Sequence, residues 1–200
     1  MKDVKLGILL TMFCSVANAG LITGDFRTES DLPGYGSSGA LVYESLDRNI
    51  GQGYELDDLD FVENPSDWNG GVVWVDYDES TNILTLSSQD TTDFQTFDLL
   101  ISNIVFDIVG EVISGISLIS DNLIEEGDEF GPVLLVNPVS YSYTSDSISI
   151  SYEETGEDIF YFTGGTAKFQ IATSVPEPGS LVLLGLGLAG LGFSRRKIKT

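Results

Sequence analysis

Ser147-Ile148-Ser149-Ile150-Ser151-Tyr152 alternates polar and apolar residues without a break. Side chains of a strand repeat every two residues, so Ile148, Ile150 and Tyr152 fall on one face and the serines on the other. Tyr141 and Tyr143 alternate just upstream, and Thr144-Ser145-Asp146 supplies a turn that makes the two runs a hairpin.

The same pattern extends outward in both directions. Val72–Asp76 and Ile83–Leu86 flank Tyr77-Asp78-Glu79-Ser80-Thr81-Asn82, which predicts a second hairpin with a polar loop. Ile101–Val109 is a nearly continuous apolar run rich in β-branched residues, the pattern of a strand buried on both faces. Glu111–Ser120 resembles it more weakly. Phe94–Leu100, Asp158–Thr163 and Ala167–Thr173 complete the set, with Gly164-Gly165 as a tight turn between the last two. Asp31–Ser38, carrying Pro33, Gly34 and Gly36, reads as a loop, as does the acidic stretch Asp121–Pro132. Between Gly20 and Val175 no sustained helical period occurs, and no fixed repeat indicates a solenoid or propeller. The expected fold is all-β: one antiparallel β-sandwich, jelly-roll-like, over residues 20–175.

Composition narrows the chemistry. Arg27, Arg48 and Lys168 are the only cations of that segment, which holds all but two of the chain's 31 acidic residues. Such a domain repels nucleic acid and anionic membrane surfaces and attracts divalent cations diffusely. Its acids are interleaved with Ile, Val, Leu, Phe and Tyr, the mark of a folded acidic surface rather than a disordered one. The chain has no histidine, which removes imidazole acid–base catalysis, Ser–His and Cys–His nucleophiles, and imidazole metal sites. Its one cysteine, Cys14, lies in the leading segment, so the domain is held by packing without disulfides.

Three chemistries remain open to carboxylates and rings. Paired acids can hydrolyse a glycoside, one donating a proton while the other serves as base or nucleophile. Glu153-Glu154, Glu125-Glu126 and Asp57-Asp58 are adjacent, however, and neighbours on a strand point to opposite faces, so none is itself a dyad. Solvated acidic surface is their expected role, and no catalytic residue is assigned. Calcium is the metal that suits oxygen ligands. Asp76-Tyr77-Asp78-Glu79-Ser80 resembles the start of an EF-hand loop but lacks its glycine and has Ser87 where the closing glutamate belongs. Asp121-Asn122 with Glu125, Glu126, Asp128 and Glu129 is a second arrangement; a hairpin turn and an exposed loop are the expected readings of the two. Trp68 and Trp74, with Tyr35, Tyr43 and Tyr54, supply rings for stacking on sugars. Trp74 lies in an expected strand and is assigned to the core. Trp68, in a loop with Asn64, Asp67 and Asn69, is the better platform, although packing as a loop anchor is its more ordinary role.

The two ends of the chain carry addresses. Lys2 and Lys5, the apolar Leu6–Phe13, and Ala17-Asn18-Ala19 form a secretory signal helix, with signal peptidase cutting after Ala19. Phe13 and Thr11 do not suit lipoprotein processing at Cys14. At the other end, Pro176-Glu177-Pro178 precedes an uncharged Leu/Gly-rich run, Ser180–Phe193, and a basic stop at Arg195-Arg196-Lys197 with Lys199. At about 1.5 Å per residue this helix reaches roughly 21 Å, short of the ~30 Å hydrocarbon core. Flanking cations snorkel to close the gap and keep the basic end cytoplasmic, leaving the acidic domain outside. A short, glycine-rich transmembrane helix suits a segment handed to a membrane enzyme.

Val175-Pro176-Glu177-Pro178-Gly179-Ser180, the Leu/Gly span and Arg195-Arg196-Lys197, in that order at the C-terminus, resemble the PEP-CTERM sorting signal of Gram-negative bacteria. The resemblance covers residues 176–200. It implies processing by an exosortase, a membrane-embedded cysteine peptidase or transpeptidase, and a producer of exopolysaccharide or biofilm matrix. In the body, Thr23–Pro33 and Asn64-Pro65-Ser66-Asp67-Trp68 are similar to uncharacterised proteins with the same tail, a similarity that transfers no activity. The expected protein is exported, held transiently in the inner membrane with its domain in the periplasm, and then moved to the cell surface or extracellular matrix. There it binds or structures polysaccharide without catalysis or cofactor. A carboxylate-based glycoside hydrolase and a calcium-stabilised adhesion module are the alternatives.

Overall fold

The computed structural model describes residues 20–51, 53–66, 70–128, 131–133, 139–153, 159–175 and 184–188, with the side chains of 126–133 excepted. The expected signal helix with Ala17 and Ala19, Trp68, Pro176-Glu177-Pro178 and Arg195-Arg196-Lys197 lie outside the described residues.

The chain runs through β1 (Leu21–Asp31), β2 (Leu41–Asn49), β3 (Phe61–Glu63), β4 (Val73–Asp78) and β5 (Ile83–Ser88). There follow β6 (Asp93–Phe94), β7 (Thr96–Phe106), β8 (Val112–Asp121), β9 (Ile124–Asp128) and β10 (Gly131–Val133). The last strands are β11 (Val139–Tyr143), β12 (Ile148–Glu153), β13 (Ile159–Phe162) and β14 (Thr166–Ser174). They form a six-stranded sheet ordered β11-β12-β7-β1-β2-β3 and two four-stranded sheets, β4-β5-β14-β8 and β10-β9-β13-β6. Pairing between the strands is antiparallel throughout. One apolar core joins residues of all three sheets, among them Phe26, Leu99 and Ile150, Leu84 and Phe169, and Phe94 and Phe162. The fold is thus a sandwich-like all-β domain. Its three sheets depart from the eight-stranded, two-sheet plan of a jelly roll.

The alternating stretch forms as its pattern dictates. Ile148, Ile150 and Tyr152 are buried, and β12 pairs with β11 so that Tyr141 opposes Ile150 and Tyr143 opposes Ile148. Thr144 N donates to Ser147 O across the turn. The hairpin at Val73–Ser88 also forms, with β4 reaching to Asp78 and shortening the expected loop.

Four expectations are corrected. Ile101–Val109 is not buried on both faces: Phe97, Leu99, Ile101 and Ile104 face the core, whereas Leu100 and Val105 are exposed and the strand ends at Phe106. The acidic stretch 121–132 is not a loop, because β9 inserts between β13 and β10, its backbone pairing with Ile159–Phe162 and its Ile124 entering the core. Gly164-Gly165 does not close a hairpin between β13 and β14, which belong to different sheets. It folds a ribbon across a corner instead. Asn122 N donates to Thr166 O at 2.9 Å and Thr163 N to Leu123 O at 3.0 Å, so both strand pairs turn together from one sheet to the next. A Cβ on Gly165 would stand 2.3 Å from Asn122 O, so only glycine lets the two backbones approach this closely. Fourth, Trp74 is a strand residue but not a core one, because its neighbours Val73 and Val75 take the inward positions of β4.

At the centre of the large sheet β1 pairs with β2 and β7, burying Phe26, Thr28 and Ser30 along one face. Both pairings slip near Asp25. Its carboxylate accepts Asp47 N at 2.8 Å and Asn103 Nδ2 at 2.6 Å, and both partners adopt positive φ. These bonds hold the Asp25 carboxyl below its usual range.

Candidate functional site

Antiparallel partners point to the same face of a sheet, so the register of β4-β5-β14-β8 dictates its outer surface. One row runs Asp76, Thr85, Lys168 and Ser120. A neighbouring row runs Trp74, Ser87 and Thr166. Along β4 the residues Val73, Val75 and Tyr77 are buried, which places Trp74 and Asp76 on the opposite, outward side. The result is a sheet face of hydroxyls with an indole, a carboxylate and an exposed ammonium.

A strap formed by residues 53–63 borders this face at the β4 edge. Glu55 N and Leu56 N donate to Val75 O, and Val75 N returns a bond to Leu56 O at 3.0 Å. Further on, the strap pairs with β2 through β3 and so ties the edges of two sheets together. It brings Tyr54 edge-on to Trp74, with ring centres 4.7 Å apart and planes at 62°. Trp74 Nε1 donates to Asp58 Oδ1 at 2.8 Å, and Arg48 Nη2 donates to Tyr54 O at 2.9 Å. Asp58 opens a short 3-10 helix, Asp58–Asp60, whose N-cap Asp57 accepts Leu59 N while Asp60 accepts Asp57 N. Tyr54, beside Trp74, is 39% exposed, and Phe61, farther along the strap against Tyr43, is 53% exposed.

One buried carboxylate anchors the strap. Glu55 is fully buried, with Oε1 accepting Gly51 N at 2.9 Å and Oε2 accepting Tyr77 N at 2.7 Å. Burial raises its pKa to about 7, against the pull of those two N–H donors. Asp76 on the outer face is also raised, first by burial and then by the charge of Asp78.

The other acids fall where local structure uses them. Asp78 accepts Ser80 N, Ser80 Oγ and Thr81 Oγ1, which closes the β4–β5 turn and lowers its pKa. Residues 76–80 therefore form a hairpin end. Asp121 accepts Leu123 N and the Tyr152 hydroxyl. Among the described residues no group of three acids gathers to hold a metal ion. Glu125 and Glu153 are exposed on separate strands, and Glu154 and the Glu126 side chain lie outside the described residues. Sequence reading singled out Tyr54 but placed Trp74 inside. The strict alternation of Val73, Val75 and Tyr77 was the signal that puts the indole outside.

Both ends of the domain leave from one pole. Asp107 N donates to Gly20 O at 3.2 Å, and at the finish of β14 Ser174 opposes Val112. Only the turn from Asp107 to Glu111 separates these two exits. A family model, the PEP-CTERM protein-sorting motif, matches residues 174–197 and so begins on the last residue of β14. The chain carries a PEP-CTERM sorting domain. The motif implies export and exosortase-mediated sorting to the surface, with an exosortase as the processing partner. The PEP-CTERM match does not extend into the body. No curated protein and no solved structure matches the chain. Within the motif, 184–188 is helical and exposed; among the described residues no helix is long and apolar enough to cross a membrane.

Proposed function

We propose that the domain is a non-enzymatic polysaccharide-binding module, presented at the cell surface or in the extracellular matrix after exosortase processing. The observation that carries this reading is the Tyr54–Trp74 ring pair at the rim of the outward rows of hydroxyls. Rings stack on the apolar faces of sugars, while Ser, Thr, Asp and Lys side chains exchange hydrogen bonds with their hydroxyls. The domain's excess of acids over its three cations disfavours polyanionic glycans, so the ligand is an uncharged polysaccharide. Before processing, the membrane segment holds the domain in the periplasm, with the Gly20–Ser174 pole toward the inner membrane.

Retention on immobilised neutral exopolysaccharide is the test. Trp74→Ala is expected to abolish retention with the thermal transition preserved, and no reducing ends are expected to appear. Release of reducing ends that stops in Asp76→Asn would replace this reading with a hydrolase. Retention that persists in both Trp74→Ala and Tyr54→Ala would remove the site.

A further inference from the structure

We propose that signal-peptide removal creates a built-in cation, the α-ammonium of Gly20, that Asp107 and Glu79 bind to fasten the first strand of the mature domain. The proposal rests on cleavage after Ala19. Hydrolysis adds water across the Ala19–Gly20 amide: a carboxylate leaves with Ala19, and the amine of Gly20 takes up a proton. One uncharged N–H donor thereby becomes an ammonium with three donors.

The structure already points that nitrogen at an acid. Gly20 N donates to Asp107 Oδ1 at 3.3 Å, and Asp107 N answers to Gly20 O at 3.2 Å. Glu79 reaches the same residue from the β4–β5 turn: its Oε2 lies 3.2 Å from where a Cβ on residue 20 would stand. The other oxygen of Glu79 lies equally close to the corresponding point on Gly51. Glycine at 20 therefore leaves space for the carboxylate beside the terminus. Gly20, Asn49, Glu79, Ser80 and Asp107 line an open pocket of about 430 Å³, which has room for the hydrated ammonium.

Among the described residues this corner has acids and no counter-charge. Both salt bridges among the described residues belong to Arg27, which pairs with Glu29 and Glu44. Arg48 is committed to Tyr54 O, and Lys168 projects from the outer face of another sheet. A cation generated by processing at Gly20 would supply a partner that none of the cations among the described residues provides here. An ammonium–carboxylate hydrogen bond is stronger than the amide bond it replaces, so β1 is held more firmly in the mature chain than in its precursor.

The test uses exported, full-chain protein and its Asp107→Asn and Glu79→Gln variants. N-terminal sequencing first establishes where the mature chain starts; a start elsewhere than Gly20 overturns the proposal through its cleavage premise and is read separately. With Gly20 terminal, acylation of the α-amine near neutral pH reports how strongly the carboxylates hold the proton. We expect acylation about tenfold faster in Asp107→Asn, the change for one unit of altered proton affinity. The thermal transition should fall by about 2–4 °C, the shift for one lost interaction in a domain of this size. N-acetylation of the wild type should lower it similarly and add nothing to Asp107→Asn. An amine that reacts as fast as a free peptide's, unmoved by either substitution, overturns the binding itself even if the transition shifts.

Discussion

The two poles of this sandwich are closed by different chemistry. At the corner pole, where β8 and β14 pass into β9 and β13, rings do the closing. Phe94 stacks on Phe162 with centres 4.0 Å apart, Phe97 meets Phe162 edge-on at 5.8 Å, and Phe160 packs at 5.4 Å from Phe94. All four rings are fully or almost fully buried. At the terminal pole, where Gly20 and Ser174 emerge, carboxylates take backbone N–H groups: Asp107 from Gly20, Glu55 from Gly51 and Tyr77, Asp78 from Ser80. The first pole is held chiefly by apolar burial, which is indifferent to pH, with Asp121 adding one carboxylate that accepts Leu123 N and the Tyr152 hydroxyl. The second is held by ionisable groups and carries both exits of the chain from the domain. The contrast separates permanent architecture from the end that processing must reach.

The contrast is tested hardest at the corner. Phe162→Ala is expected to cost about 3–5 kcal/mol, because its ring bridges the stacked and edge-on contacts and leaves a cavity. Urea unfolding should show a large loss of the same size at pH 5 and pH 8. A loss that varies with pH would mean that the corner is not the independent apolar half described.

The terminal pole should behave in the opposite way. Glu55 has a folded pKa near 7 against an ordinary value of 4.5. A folded value above the unfolded one means that the native state binds the proton more tightly, so this contribution is full below about pH 4.5. It is lost as pH rises to about 7 and is level beyond that. The span amounts to on the order of 3 kcal/mol. Asp25 and Asp78, whose pKa values are lowered, act with the reverse sign and withdraw support as pH falls through their acid range. Stability measured by urea unfolding should therefore decline from pH 5 to pH 7, and Glu55→Gln should flatten that slope. An unchanged slope in the variant would assign the decline to general repulsion among the surface acids.

The corner also has a backbone component. Gly165→Ala drives a methyl against Asn122 O, and an expected cost of about 1–3 kcal/mol should appear as a lower urea midpoint with an unchanged slope. If the cost stays under 0.5 kcal/mol, the ribbon can open at the bend without disturbing the rings beneath.

How much of this was legible in the sequence follows from which residues face inward. β12, β4, β5 and β14 bury Ile, Val, Leu and Phe at every second position, and period two exposes them directly. β1 was not expected as a strand although it is central, because its inward positions include Thr28 and Ser30. Ser30 satisfies its hydroxyl on Gly71 O, a partner 41 residues away that no local pattern reveals. β9 was hidden by acids, since its pairing with β13 is a backbone matter to which Glu125 and Glu126 contribute no apolar signal. The outward rows of the β4-β5-β14-β8 sheet were equally hidden, because Lys168 and Thr85 meet only through register. The sorting domain, in contrast, is local in sequence and was fully readable there.

The smallest expected effect asks whether the terminal pole comes apart piece by piece or as a strap. Asp57 caps the 3-10 helix two residues beyond Glu55. Asp57→Ala should cost about 1 kcal/mol, the ordinary value of a lost cap. If cap and anchor are independent, that cost is equal at pH 5 and pH 8, because residues without shared partners add. If ionised Glu55 already loosens the segment, the cap has less left to hold and its removal costs less at pH 8. Hydrogen exchange at Glu55 N and Leu56 N, both bonded to Val75 O, distinguishes the two. Equal acceleration of both amides in Asp57→Ala, larger than at Tyr77 N, would show the strap lifting from β4 as one unit. Acceleration confined to Leu59 and Asp60 would confine the change to the cap and leave the anchor at Glu55 intact.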